Sequence, residues 1–600
     1  MRGIRWQLLA VIVAVSVFAV VFLTREPDNT PEQPEPSPTS LALISTEPPT
    51  ATPTPEVQLI AQNIATPVPV ESDNVVTFTE GMVGQVQRLN PLFANLNPVD
   101  ESITSLIFEG LTRVNQYGEA EPALAREWVV SFDGLEYVFI LRDDVLWHDG
   151  VPFTAADVIY TISILSSADF PGAPELSAFW RTVETEQISE TLVRFRLTQP
   201  LSSFPEALRI GMLPVHVLQG TNAAQIASHP FNLSPIGTGP YQLEALRTQG
   251  TAIEAVDLRV APVFRQRPEG ETGYAVDRMR FRLFDDFNAV TEALRSGVVD
   301  GYASRDNSER PALLTIPEVV PHTGHEPEVG MLIFNWANED FRVFRDQRVR
   351  QALINGLDRD SIIQRHLVNL AVRADNPLPR QSWAYDGSVQ WPPYNPQAAR
   401  DTLAIANIAA LISTPEPAPE STAEVTAEPT PASSALFSFT ILTLDDPALV
   451  SIAQEIAAQW DLLNVEVAVE TVDAAIYRER IISGAFDAAL VEIAKEGSAD
   501  PDMYAFWHEG QYPEGQNFGG VNDRVISETL ERARRDLNGV TRAALYREFQ
   551  QAFINRAIAI PLYYPLFTYA VSSEVTGVQF GLISQLSDRF LTLKDWQITR

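Results

Sequence analysis

The stretch LRDDVLWHDGVPFTAADVIYTI, Leu141 to Ile162, decides how the chain is read, because it passes from a strand through a tight turn into a helix. Just upstream, LEYVFILRDDV alternates apolar and polar residues as a half-buried strand does. Asp149-Gly150 then signals a turn, Pro152 fixes the next φ, and Thr154 followed three residues later by Asp157 has the form of a capping box. In the helix so opened, Val158, Ile162 and Leu165 fall on one face. His148 has no serine, second histidine or carboxylate set beside it to activate or to share a metal. The His148-Asp149 pair is therefore expected to order a turn.

Outward from this stretch the pattern stays mixed α/β. TLVRFRLTQP sets Val193, Phe195 and Leu197 against Arg194 and Arg196, a strand with one buried face. DQRVRQALINGLDRDSII puts Val349, Ala352, Leu353, Gly356 and Leu357 on one side of a helix. Two fragments echo each other: EALRSGVVDGY (Glu292–Tyr302) and RERIISGAFDAAL (Arg478–Leu490) each end a helix at Ser-Gly and start a short strand that carries an aspartate. Glycine suits the left-handed position after a helix. The echo fits common helix-to-strand punctuation, and it also fits two lobes of similar α/β build.

Six hundred residues exceed one hydrophobic core, so at least two lobes are expected. A net charge of -34 argues against nucleic acid, whose phosphates need a basic surface. The absence of cysteine excludes disulfides, thiolate metal sites, cysteine nucleophiles and a cysteine-linked lipid. Of the seven histidines only His322 and His325 lie close together, with no carboxylate cluster beside them, so no metal and no cofactor is expected. No G-x-S-x-G elbow appears, and no catalytic residue is assigned.

At the N-terminus, Arg2 and Arg5 precede an apolar run from Leu8 to Leu23. At about 1.5 Å per residue this run barely spans the roughly 30 Å hydrocarbon layer. No small-x-small cleavage pattern follows it, so residues 1–24 read as an uncleaved anchor, with a removed signal as the alternative, and the remainder as exported. Residues 25–72 are rich in Pro, Thr, Ser and Glu and read as a disordered stalk. A second such run, Ser413–Ser434, reads as a disordered loop inserted in one lobe.

The Leu141–Ile162 string resembles the signature of the large peptide-type solute-binding proteins of ABC importers, the oligopeptide, dipeptide and nickel-binding family. Further matches occur in the family's order: REWVVSFDGLEYVFILR before it, PIGTGPYQL at Pro235–Leu243, FRDQRVRQALINGLDRDSII at Phe344–Ile363, and ADPDMYAFWHEGQYPEGQNFGGVND at Ala499–Asp523. The resemblance runs from about Val75 to the end. It implies a two-lobed α/β binding-protein fold with a two-strand hinge and an extra domain inserted in the first lobe. Residues 73–110, 230–328 and 565–600 would form the first lobe, 111–229 the inserted domain, and 329–564 the second lobe, with a disordered insertion at about 405–435.

The same resemblance implies a ligand held between lobes that close by hinge motion. Candidate wall residues are Glu80, Gly81 and Met82 in FTEGMVGQVQRLNPLF, Asn335 and Trp336 in FNWAN, Trp383 and Tyr385, and Glu496, Asp500, Asp502 and Trp507. Peptide binders of the family hold the ligand ammonium with an aspartate four residues before the proline of an Asp-Pro or Glu-Pro step. Here that step is Asp500-Pro501 and the corresponding residue is Gly497, with Glu496 adjacent. The expectation is a monomeric, non-enzymatic binding protein at the outer face of the cytoplasmic membrane, delivering a peptide or similar medium-sized solute to an ABC permease. The alternatives are an oligosaccharide ligand, held by stacking on aromatic rings, and a membrane-tethered sensor of the same fold.

Overall fold

The sequence IPLYYPLFTYAVS forms the 13-residue strand Ile560–Ser572, buried along nearly all of its length. Such a continuous apolar run suits a strand covered on both faces. The computed structural model describes residues 75–264, 273–306, 308–406, 408–411, 435–495 and 497–599. Among them the long strand is the shared spine of a twelve-stranded sheet. Its first half pairs antiparallel with Glu328–Phe334 and Ala371–Arg373. Its second half pairs antiparallel with Gly301–Ser304 and Val319–His325.

Two lobes hang on this spine, each with its own core. In the first, strand Thr77–Val83 runs parallel to Arg278–Phe284 and to Gly301–Ser304, and the core gathers Phe78, Met279, Phe281, Tyr569 and Trp596. In the second, Phe437–Leu444 runs parallel to Val465–Val472 and to Ala488–Ala494, linked by the helices Pro447–Asp461 and Ala474–Ser483. Apolar side chains fill both faces of that sheet, Ile441 and Trp460 on one, Leu442 and Phe549 on the other.

The echo seen in the sequence is a repeated structural device. Gly297, two residues past its helix, and Gly484, directly after its own, both take positive φ, +68° and +70°. Three residues on, Asp300 accepts from the Thr79 N–H at 2.7 Å and Asp487 from the Thr440 N–H at 3.0 Å. In each lobe the aspartate therefore ties its own strand to a parallel neighbour.

The strands Ala125–Val130, Glu136–Leu141, Leu192–Arg196 and Glu184–Ser189 form a separate antiparallel sheet. It packs on helix Ala155–Leu165, whose Val158, Ile162 and Leu165 are buried as the sequence pattern requires. The WHDG turn joins this sheet to the body of the first lobe. The His148 N–H donates to Gly237 O at 2.8 Å, and the Gly237 N–H donates to His148 Nδ1 at 3.2 Å. Nδ1 is thus an acceptor, so Nε2 carries the proton and donates to Gly239 O at 2.9 Å. Burial holds the imidazole below its ordinary pKa and keeps it neutral. Gly237 is required here because a Cβ would meet Ile107 O at 1.8 Å.

Asp157 anchors the other side of the joint. It accepts from the Thr154 N–H and the Val215 N–H, each at 2.9 Å, and from Trp147 Nε1 at 3.4 Å. Among the described residues no helix is long and apolar enough to cross a membrane. The Leu8–Leu23 run, the 25–72 stretch and Ser413–Ser434 lie outside the described residues.

Candidate functional site

A cavity of about 850 Å³ opens beside the first-lobe helix Pro98–Ile107. Its walls come from that helix, from Phe108–Val114, from Glu206–Gly211 and from the C-terminal segment 584–593, and Gly497 of the second lobe borders it. The volume falls in the range of small-molecule sites, and the lining mixes apolar residues such as Leu106, Phe108 and Phe590 with charged ones.

The charged lining residues are held by partners within the chain. Arg209 donates to Asp588 Oδ1 at 2.6 Å and to Ser584 Oγ at 2.9 Å. The other Asp588 oxygen accepts from the N–H groups of Ser584 and Gln585, which fixes the short 3-10 helix Leu586–Phe590. Glu101 accepts from the Ser587 N–H and hydroxyl, both at 3.0 Å. Burial raises its pKa, and those two hydrogen bonds oppose the rise. Arg305 forms a bidentate pair with Glu326 at 2.9 and 3.0 Å.

Glu206 faces the second lobe. It accepts from Ser498 Oγ at 2.9 Å, from the Asp500 N–H at 3.2 Å and from the Ala499 N–H. Burial, then the nearby Asp500 carboxylate, raises its pKa. Asp500 in turn is gripped by Arg542 through two hydrogen bonds of 3.0 and 2.9 Å. Burial alone would raise the Asp500 pKa, but Arg542 and Lys495 outweigh it and hold the carboxyl below its ordinary value.

The residues singled out from the sequence fall in several places. Glu80 is fully buried, accepting from Arg589 Nε at 3.0 Å and from Tyr569 OH at 2.8 Å. Met82 lies against the same guanidinium, with Sδ 3.5 Å from Arg589 Nη2. Gly81 packs so closely on helix Phe287–Arg295 that a Cβ would meet Val290 Cγ2 at 2.5 Å. These three residues sit in the sheet interior and border none of the described cavities.

Asn335 lies at the end of strand Glu328–Phe334, about 20 Å along from the end that pairs with Ala494. Its amide donates to Gly484 O and Phe486 O at 2.9 and 2.8 Å, and it borders a second, polar cavity of about 360 Å³ with Asp487 and Arg480. Trp336 is covered by the Arg350 guanidinium at 3.7 Å.

Trp383, Tyr385, Asp500, Asp502 and Trp507 share one region of the second lobe. The Trp383 ring lies 5.2 Å from the Arg542 guanidinium, and the Trp383 backbone N–H donates to Tyr117 O at 3.1 Å. Tyr385 is half-buried, and burial raises its pKa. Asp502 accepts from the Tyr504 N–H at 3.0 Å and lies 3.2 Å from Arg534. Trp507 is buried edge-on against Phe553. Glu496 lies outside the described residues.

Sequence reasoning missed Glu206, Arg209, Glu101 and the Ser584–Asp588 turn. Their partners lie hundreds of residues away, and no local spacing marks them.

Two lobes on a shared strand, with a ligand-sized cavity bordered from both, have the architecture of a solute-binding protein. The chain belongs to the bacterial extracellular solute-binding proteins, family 5, whose middle region matches residues 119–514. It is 24% identical over 478 residues to heme-binding protein A of Haemophilus influenzae, covering 76% of this chain and 81% of that one. It is also 24% identical over 524 residues to the oligopeptide-binding protein AppA of Bacillus subtilis, covering 83% and 88%. Among solved structures, NikZ from Campylobacter jejuni, crystallised with Ni(L-His), superposes with a TM-score of 0.59 at 26% identity, covering 87% of this chain and 99% of NikZ.

Proposed function

We propose that the protein captures a peptide, or a solute of comparable size, between its lobes and delivers it to the permease of an ABC importer. The observation that carries this reading is the cavity of about 850 Å³ bordered by Gly497, the position where peptide binders of the family hold an ammonium. Oligopeptide binding by the related AppA, as its name states, supports the ligand class. In this reading the loop at Gly497 meets the ligand from the second lobe and Glu101 and Arg209 from the first, while Trp383, Tyr385, Asp502 and Trp507 border none of the described cavities. Gly497 supplies no counter-charge, while Asp500 and Asp502 already face Arg542 and Arg534. Among the described residues of this loop no carboxylate is left without a cationic partner, so the part of the ligand that meets them is uncharged, as in an N-capped or internally bound peptide. Residues 1–24 tether the protein to the outer face of the cytoplasmic membrane, and it acts as a monomer without enzymatic activity.

The test is native mass spectrometry of gently purified protein, followed by titration with the molecule it carries. A bound peptide or amino-acid conjugate supports the reading. A neutral oligosaccharide, with no affinity for peptides, would replace the ligand class while leaving the binding-protein assignment in place.

A further inference from the structure

Apart from the shared spine, a compact set of contacts joins the two lobes. Glu206 stands in the short helix Phe204–Ala207, whose Phe204 belongs to the first-lobe core. Its side chain is only 10% exposed, yet its hydrogen-bond donors all come from the second-lobe loop Ser498–Asp500. That loop is itself rigidly held, because Asp500 is clamped by Arg542 and Arg542 also donates to Ala533 O at 3.0 Å. Around it, the Ser202 N–H donates to Arg534 O at 3.0 Å, and Val114, Ala499 and Leu582 form a small apolar cluster. A Cβ at Gly118 would meet Ala499 at 2.9 Å, so the two surfaces touch there without room for a side chain.

We propose that Glu206 is a clasp: its carboxylate fills the ring of donors at Ser498, Ala499 and Asp500 and holds the lobes closed without any ligand. The physical reason is local. When the lobes part, the carboxylate regains water but the Ala499 and Asp500 amides lose a charged acceptor. When they close, its three hydrogen bonds and the Arg209 guanidinium 3.8 Å away oppose, without fully cancelling, the desolvation of the carboxylate and its repulsion by Asp500. Glu206 also borders the cavity, so its effect on the closed fraction is read on the empty protein, where no solute contact contributes. This inference rests on the two-lobed fold and is independent of the ligand class.

The chain contains no cysteine, so two engineered thiols can be labelled uniquely. Ile188→Cys in the first lobe and Leu462→Cys in the second fall on residues 49% and 62% exposed. Interlobe distances are then measured by single-molecule energy transfer on protein stripped of solute by unfolding and refolding. The expected result is a closed population in the otherwise wild-type chain and a roughly tenfold lower closed-to-open ratio in Glu206→Ala, the scale of losing charged hydrogen bonds. Ser498→Ala, which removes one donor, and Glu206→Gln, which keeps the shape and loses the charge, fall between. They carry the test if the alanine variant misfolds. A stripped wild type found wholly open, or variants whose ratio stays within twofold of wild type, overturns the clasp.

Discussion

Replacing Arg542 by methionine tests whether the acidic groups near Pro501 are committed to the fold. The Asp500 and Arg542 side chains are 9% and 8% exposed, and two hydrogen bonds of 2.9 and 3.0 Å join them. Methionine keeps much of the volume but leaves a buried carboxylate without its main partner, a change that costs about 3–5 kcal/mol in comparable sites. Lys495 contributes a second favourable charge to Asp500, which places the expected loss in the lower half of that range. The lost donations to Ala533 O and Tyr546 OH act in the opposite direction. Urea denaturation followed by tryptophan fluorescence reads the effect, since the Trp383 ring lies 5.2 Å from the guanidinium. In the double variant Asp500→Asn with Arg542→Met, the cost falls short of the sum of the two single costs by about 1 kcal/mol or more, because the pair acts as a unit. A loss below about 1 kcal/mol for Arg542→Met alone would refute the argument that this ion pair consumes the Asp500 charge.

Two further outcomes follow from the structure. His148→Ala removes the hydrogen bonds to Gly237 and Gly239 and is expected to lower stability by about 1–3 kcal/mol while leaving solute affinity within threefold of wild type, as read by denaturation and calorimetric titration. Glu328 has its pKa pushed up to about 8 by burial and by the facing Glu492, which accepts from Tyr563 OH at 2.8 Å. Its proton is held by the folded state above the ordinary value of 4.5, so the stability it contributes is complete below 4.5 and is lost as pH rises towards 8. Glu328→Gln is expected to flatten the decline in melting temperature across that window, and an unchanged slope would count against a protonated Glu328.

Much of the fold is legible in the sequence because its signals are local. Asp149-Gly150 with Thr154 and Asp157 specifies a turn and a capped helix from adjacent residues, and the structure joins the parts through His148. The Ser-Gly…Asp echo announces two similar lobes, since a left-handed glycine and a strand-tying aspartate recur at one spacing. The lining of the cavity is far less legible. Glu206 finds its donors some 292 residues away at Ser498, and Arg209 finds Asp588 379 residues away, so no window of sequence contains both partners. The charges of Asp500 and Asp502 look available in the sequence because Arg542 and Arg534 come from later helices. Asn335 follows the expected hinge in the chain, but an extended strand carries it away from the Lys495–Trp507 loop.

Hydrogen–deuterium exchange of the protein as purified, compared with the same protein stripped of its solute, tests most directly whether the cavity between the lobes is the binding site. The account predicts that bound solute slows exchange in residues 101–114, 206–211, 497–507 and 584–591 and leaves 335–340 and 484–487, around the smaller cavity, unchanged. Protection confined to 335–340 and 484–487, or no difference between the two samples, would contradict it.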